Sequence, residues 1–145
     1  TGFTTTTTTN PITFAGTALQ RITSNNNQLL RPIVLNGANY QLQDNLSVGQ
    51  DTSVTLTKGT LDLNGKVLSC GVFSSNNNNV RVITAGSGGI FQCYSSGLSF
   101  DVAGTNITVT NPQTAVNYVG TYTANALFAF TRLVLPVAGF LSFFY

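Results

Sequence analysis

Ser24-Asn25-Asn26-Asn27-Gln28-Leu29-Leu30-Arg31-Pro32-Ile33-Val34 and Ser75-Asn76-Asn77-Asn78-Asn79-Val80-Arg81-Val82-Ile83 read as two copies of one segment. The Ser-Asn-Asn-Asn blocks lie 51 positions apart, and Arg31 and Arg81 lie 50 apart. A Gly-containing turn and an alternating strand follow each block: Gly37 then Tyr40-Gln41-Leu42-Gln43, and Gly86-Ser87-Gly88-Gly89 then Ile90-Phe91-Gln92-Cys93. Self-similarity at a fixed period marks a repeat architecture, and a shift of about 50 suits two coils of a β-solenoid at about 22 to 27 residues each. The internal repeat, about 24–43 and 75–93, therefore predicts a parallel β-solenoid stack. It places Asn26 and Asn77 on one edge, about 9.5 Å apart, and Arg31 and Arg81 on one face. Asn tolerates left-handed backbone geometry and hydrogen-bonds its own turn, which suits a recurring corner. The alternative is an antiparallel β-sandwich or jelly roll, in which the Asn runs are hairpin tips.

Outward from these blocks, short β-prone runs are cut by turn residues. Ile33-Val34-Leu35 ends at Asn36-Gly37, Ser53-Val54-Thr55-Leu56-Thr57 at Lys58-Gly59, and Leu61-Asp62-Leu63 at Asn64-Gly65. Val67-Leu68-Ser69-Cys70 passes Gly71 to Val72-Phe73, and Asn106-Ile107-Thr108-Val109-Thr110 ends at Asn111-Pro112. Two-residue periodicity bounded by Gly and Asn is the signal of strands. No window holds a 3.6-residue apolar stripe; the best helix candidate, Ala124 to Arg132, carries residues equally suited to a strand. The six threonines Thr4 to Thr9 read as a strand or extended edge, because Thr is β-branched, with a flexible or glycosylated polar tract as the alternative. The 145 residues are one all-β domain, residues 1–145.

Composition narrows function more than it names it. Charged residues make up 7% of the chain, against about 25% in an average soluble domain. There is no His, Glu, Met or Trp, but there are 22 Thr and 16 Asn. Without His there is no Ser-His-Asp triad and no His-ligated metal. A net charge of +2 is too small for a nucleic-acid footprint. The apolar stretch Leu133 to Tyr145 falls short of the roughly 20 residues of a membrane helix and is interrupted by Pro136 and Gly139, so no membrane span is expected. Its lack of charge and its four aromatics predict burial against the fold or against another copy. Cys70 and Cys93 are 23 positions apart, about one coil, and both alternate with apolar neighbours. They are expected as neighbours in the core and as free thiols, with a single bridge as the alternative outside the cytosol.

The segment Gly59-Thr60-Leu61-Asp62-Leu63-Asn64-Gly65-Lys66-Val67-Leu68-Ser69-Cys70-Gly71-Val72-Phe73-Ser74-Ser75-Asn76-Asn77-Asn78-Asn79-Val80-Arg81-Val82-Ile83 resembles the repeats of long, Thr/Asn/Gly-rich, β-solenoid-like surface proteins of bacteriophages. A looser likeness runs from Ser24 to Leu63 and over Gly2 to Ala15. The resemblance implies a virion location and a structural or tail-fibre role, in which copies of the chain assemble with one another or with other virion proteins. It carries over no catalytic residues. The alternative from another class is an extracellular filament or adhesin subunit of a cell, with a terminal strand donated to its neighbour. A glycan-cleaving β-helix domain is the third.

Catalytic chemistry finds little material. Glycoside hydrolysis needs two carboxylates about 5 to 10 Å apart, and the chain has only Asp44, Asp51, Asp62 and Asp101. Asp51 and Asp62 are the best pair, and Asp62, between Leu61 and Leu63, points away from the core. The carboxylates are too sparse for a calcium cage. Gly86-Ser87-Gly88-Gly89 lacks the Lys of a phosphate-binding loop and reads as a turn. Asn45-Leu46-Ser47 and Asn106-Ile107-Thr108 are glycosylation sequons of the kind expected by chance at this composition. Arg21, Arg31, Arg81 and Arg132 read as solvated strand-face residues, and the five Tyr as strand residues that could also stack on sugars. No enzyme activity, catalytic residue, metal ligand or cofactor is expected; a cell-surface glycan is a further partner class.

Overall fold

Strand formation follows from the alternation, and several of the described turns are closed by an Asn or Gly with positive φ. The computed structural model describes residues 10–95, 97 and 99–110, together with the backbone of 98, 115–118, 121–124 and 133–134. Among the described residues there is no helix, and all strand pairing is parallel. The protein is a parallel β-solenoid of about four turns. The antiparallel sandwich is excluded on both sides of the Arg81–Thr84 strand, whose two partners run parallel to it.

Three stacks of strands form three faces. The first face holds β1 (Ile12–Phe14), the first half of β4 (Ile33–Leu42), the first half of β6 (Ser53–Asp62), β8 (Val72–Asn76), β11 (Leu98–Ala103) and β14 (Thr121–Ala124). The second holds β2 (Leu19–Ile22), the later halves of β4 and β6, β9 (Arg81–Thr84) and β12 (Ile107–Thr110). The third holds β3 (Gln28–Leu29), β5 (Leu46–Val48), β7 (Val67–Cys70), β10 (Ile90–Cys93), β13 (Ala115–Tyr118) and β15 (Leu133–Val134). The strands β4 and β6 each run through two faces, and their shared register breaks between Leu35 and Asn39, where the chain bends.

Inward positions stack like on like. Ile12, Ile33 and Val54 are register partners at steps of 21 residues, and Tyr40, Leu61 and Ile83 follow at steps of 21 and 22. The coil then widens: Phe73 pairs with Phe100, 27 residues on. The wider interior is filled by rings. Phe73 lies 4.6 Å from Phe91 and stacks at 5.5 Å on Phe100, while Phe91 meets Phe100 edge-on at 5.4 Å. Such pairs add about 0.5–1.5 kcal/mol beyond burial. The buried Tyr40 hydroxyl donates to the Phe14 carbonyl at 2.8 Å, and burial raises its pKa.

Corners rely on Gly and Asn. Asn25, Asn26, Asn64 and Asn106 have positive φ, as do Gly59, Gly65, Gly86, Gly88 and Gly104. At Gly59 (φ +86) and Gly104 (φ +87) a Cβ would lie about 2 Å from a carbonyl oxygen of the coil beneath, that of Ala38 or Asn77. These corners are therefore closed to any side chain.

The register differs from the 51-residue spacing of the Asn blocks. Asn25 and Asn26 follow β2, at the corner between the second and third faces, whereas Asn76 ends β8 and Asn77 to Asn79 follow it, between the first and second. Ser24 is bonded to Asp44 and Asn45 of the next coil, while Asn77 and Asn79 are bonded to Leu56 and Thr57. Asn26 and Asn77 thus occupy different edges, and Arg31 and Arg81 different corners. Coils of about 19 to 22 residues precede Phe73, so two of them fall short of 51. The likeness of the blocks is one of corner chemistry, since any corner favours Asn. The expectations for Thr4 to Thr9, for most of the 124–132 helix candidate and for 135–145 lie outside the described residues.

Candidate functional site

The carboxylates lie in turns and strands of successive coils. Asp51 is exposed in the turn between β5 and β6, and Asp62 closes the far end of β6, so the best sequence pair sits at opposite ends of a ten-residue strand. As expected, Asp62 faces outward between the buried Leu61 and Leu63. It accepts from Gln41 Nε2 at 2.9 Å and from the Asn64 backbone N–H at 2.8 Å. Asp44 sits at the second corner and accepts from the Ser24 backbone N–H at 2.9 Å and from Ser24 Oγ at 3.3 Å. Burial pushes its pKa up, but hydrogen bonds from the backbone of Ser24, Asn25 and Asn26 outweigh this and leave it below the ordinary value. Asp101, on the first face, accepts from Asn76 Nδ2 at 3.2 and 3.3 Å. Each bond links adjacent coils or closes a turn, so Asp44, Asp62 and Asp101 act in the stacking itself. Among the described residues no cluster of three metal-ligating side chains exists.

What the coils do assemble is a set of outward columns. On the third face, Gln28, Ser47, Ser69 and Gln92 stand in register, and Ser69 Oγ donates to Gln92 Oε1 at 2.8 Å. On the second, Arg21, Gln41, Asp62, Thr84 and Thr110 do so, and on the first, Thr13, Val34, Thr55, Ser74 and Asp101. Parallel strands about 4.8 Å apart turn the third-face column into an evenly spaced row of neutral hydrogen-bonding groups, whereas the other two columns include Val34 and the charged Arg21, Asp62 and Asp101. The described strands of the third face contain no charged residue. A row of this kind loses little on being covered, because neutral hydroxyls and amides are far cheaper to desolvate than ions.

One residue departs from the sequence reading. Arg81, expected as a solvated strand-face residue, is fully buried at 0% exposure. Val80 and Val82 alternate with Arg81 and Ile83, and the strand turns Arg81, Ile83 and Ala85 inward, leaving Val80 73% exposed. The guanidinium fills the corner widened by the Asn76–Val80 loop. Its Nε donates to the Asn79 carbonyl at 3.0 Å; Nη1 donates to the Ser75 carbonyl, to Ser75 Oγ at 3.1 Å and to the Ala103 carbonyl at 3.0 Å. Nη2 donates to the carbonyls of Asn77 and Thr105, the latter at 2.7 Å. No carboxylate takes part in these bonds: backbone dipoles of two successive coils solvate the charge, and burial lowers its pKa. The planar fork of five donors matches this set of acceptors, which a Lys could not satisfy. The missed signal is the in-phase triplet Arg81-Ile83-Ala85, ambiguous because the opposite phase is apolar as well.

Arg31, by contrast, is half-buried at the third corner and donates to the Asn10 carbonyl through Nε at 2.9 Å and Nη2 at 2.7 Å. Cys70 and Cys93 stand as expected: register partners on β7 and β10, buried, with free thiols. No described helix is long and apolar enough to cross a membrane. The chain matches no protein-family model, no curated protein and no solved structure.

Proposed function

We propose that this protein is a structural or adhesive component of a virus particle, a surface, decoration or tail-fibre segment that assembles with copies of itself or with other virion proteins. The observation that carries the reading is the uncharged third face, whose column Gln28, Ser47, Ser69 and Gln92 runs over successive coils, with Asp44, Asp62 and Asp101 engaged in holding coils together or closing turns. Such a solenoid is a stiff spacer whose length grows by one strand spacing per coil, and its uncharged third face suits lateral packing in a fibre or shell. The 25-residue likeness to phage surface repeats, at 59–83, points the same way. Asp51 and Asp62 stand at opposite ends of β6, which counts against a glycan-cleaving site built on that pair and favours the reading of binding and assembly.

Immunogold electron microscopy on purified virus particles and on host cells tests the proposal. Antibody raised against the folded chain is expected to decorate particles, at tail or shell. Label confined to filaments on cells would replace the reading with the adhesin alternative. Release of reducing sugar from host polysaccharide by the purified chain would replace it with an enzymatic one.

A further inference from the structure

We propose that Cys70 and Cys93 form an intramolecular disulfide when the chain folds in an oxidising medium, a covalent staple between two consecutive coils on the third face. Four observations carry this. The two residues are register partners on adjacent parallel strands. Both side chains point inward, and both are screened from solvent, at 0% and 1% exposure. They are the only two cysteines in the chain, so no competing intramolecular pairing exists. Adjacent strands hold Cα atoms about 4.8 Å apart, inside the window of about 4.4–6.8 Å that a disulfide accepts. The Cβ atoms must close to about 3.8 Å, a contraction of about 1 Å, so the bond is mildly strained. A hydrogen bond with Cys93 together with burial raises the Cys70 pKa well above the ordinary value.

The chemistry is a two-electron exchange with a low-molecular-weight disulfide such as oxidised glutathione. One cysteine, as thiolate, attacks the small disulfide; a mixed disulfide forms and one glutathione leaves. The second cysteine, as thiolate, then displaces the other glutathione and the S–S bond closes. The two thiols are oxidised, the small disulfide is reduced to two thiols, and the two protons pass to water and the leaving thiolates. In the folded chain no oxidant reaches these buried sulfurs, so the exchange runs during folding or through opening of the β7–β10 pair. Once closed, the bond is shielded from reductant by the same burial. A solenoid unzips coil by coil because each coil contacts only its neighbours. The staple stops that unzipping between the third and fourth coils, where the coil begins to widen.

The test uses the full chain, refolded from urea in a redox buffer of reduced and oxidised glutathione, then denatured, alkylated and weighed intact, with peptide mapping and a non-reducing gel. The expected product is a monomer 2 Da lighter than the reduced chain that takes up no alkyl group and yields one Cys70–Cys93 peptide. Its melting temperature is expected to exceed that of the reduced chain by roughly 5–15 °C, as a bridge closing one coil should give. Recovery of two alkylated thiols, of glutathione adducts at both cysteines, or of disulfide-linked dimers overturns the proposal. The single variants Cys70→Ser and Cys93→Ser are expected to retain one alkylatable thiol and to show no redox-dependent melting shift. A shift that persists in either refutes the staple as its cause.

Discussion

Replacing Arg81 by Ala removes a buried guanidinium and leaves its acceptors behind. The carbonyls of Asn79 and Thr105 belong to exposed residues and water can take over there. The Ser75 carbonyl and hydroxyl and the Ala103 carbonyl face the interior, where Ser75 is fully buried. Each hydrogen bond from a charged donor contributes about 1.5–3 kcal/mol, and each buried acceptor left alone costs about 1–3 kcal/mol. Two interior sites, Ser75 and Ala103, together with the lost stem packing, give a loss of about 4 kcal/mol. Against a total of about 5–15 kcal/mol for a domain, that is a quarter of the stability or more. With a urea m-value of about 2 kcal/mol/M, the unfolding midpoint falls by about 2 M. Far-UV circular dichroism and tyrosine fluorescence should report it, since the chain has no Trp. Arg81→Lys, with three donors in place of five, should lose roughly half as much. The exposed Arg21→Ala should stay within about 0.5 kcal/mol. A midpoint for Arg81→Ala within about 0.5 M of the parent would refute the carbonyl-cage account, because the interior acceptors would then have found water.

Asp44 has a folded pKa below its unfolded one, so its stabilising contribution is complete above the unfolded value of about 4 and is lost as pH falls through the folded pKa. The stability difference between the parent and Asp44→Asn, followed by urea unfolding from pH 7 to pH 2, should vanish at the acid end and hold steady above about pH 5. Gly59→Ala forces a Cβ to 2.1 Å from the Ala38 carbonyl oxygen, whereas Gly88, also at positive φ, has open space about it. The second substitution should therefore lose only the left-handed strain of about 1–2 kcal/mol and the first clearly more, compared by thermal melts. Phe73→Ala opens the ring cluster with Phe91 and Phe100 and should lose about 3–5 kcal/mol, read as a lowered urea midpoint; a loss below about 1 kcal/mol would mean that the neighbouring rings collapse into the space.

The β class was legible in residues such as Ser53 to Thr57, where alternation leaves one phase, Val54 and Leu56, to bury. The one-coil spacing of Cys70 and Cys93 was legible too, because inward position and coil length together name the neighbour. The position of Asp62 outside the core followed from Leu61 and Leu63 on either side. Three things needed the tertiary structure. Register was one: Asn25-Asn26 and Asn76 to Asn79 look alike in sequence because each corner asks for the same left-handed backbone and self-bonding side chain, so likeness between blocks does not say which corner a block turns. The widening of the coil after Phe73 was another, since loop length and the ring cluster fix it jointly and neither is periodic. The third was the phase of Val80 to Ala85. Both phases are largely apolar, and local alternation cannot choose between them. Only the converging carbonyls of Ser75, Asn77, Asn79, Ala103 and Thr105, supplied by two different coils, make the inward placement of a charged Arg81 favourable.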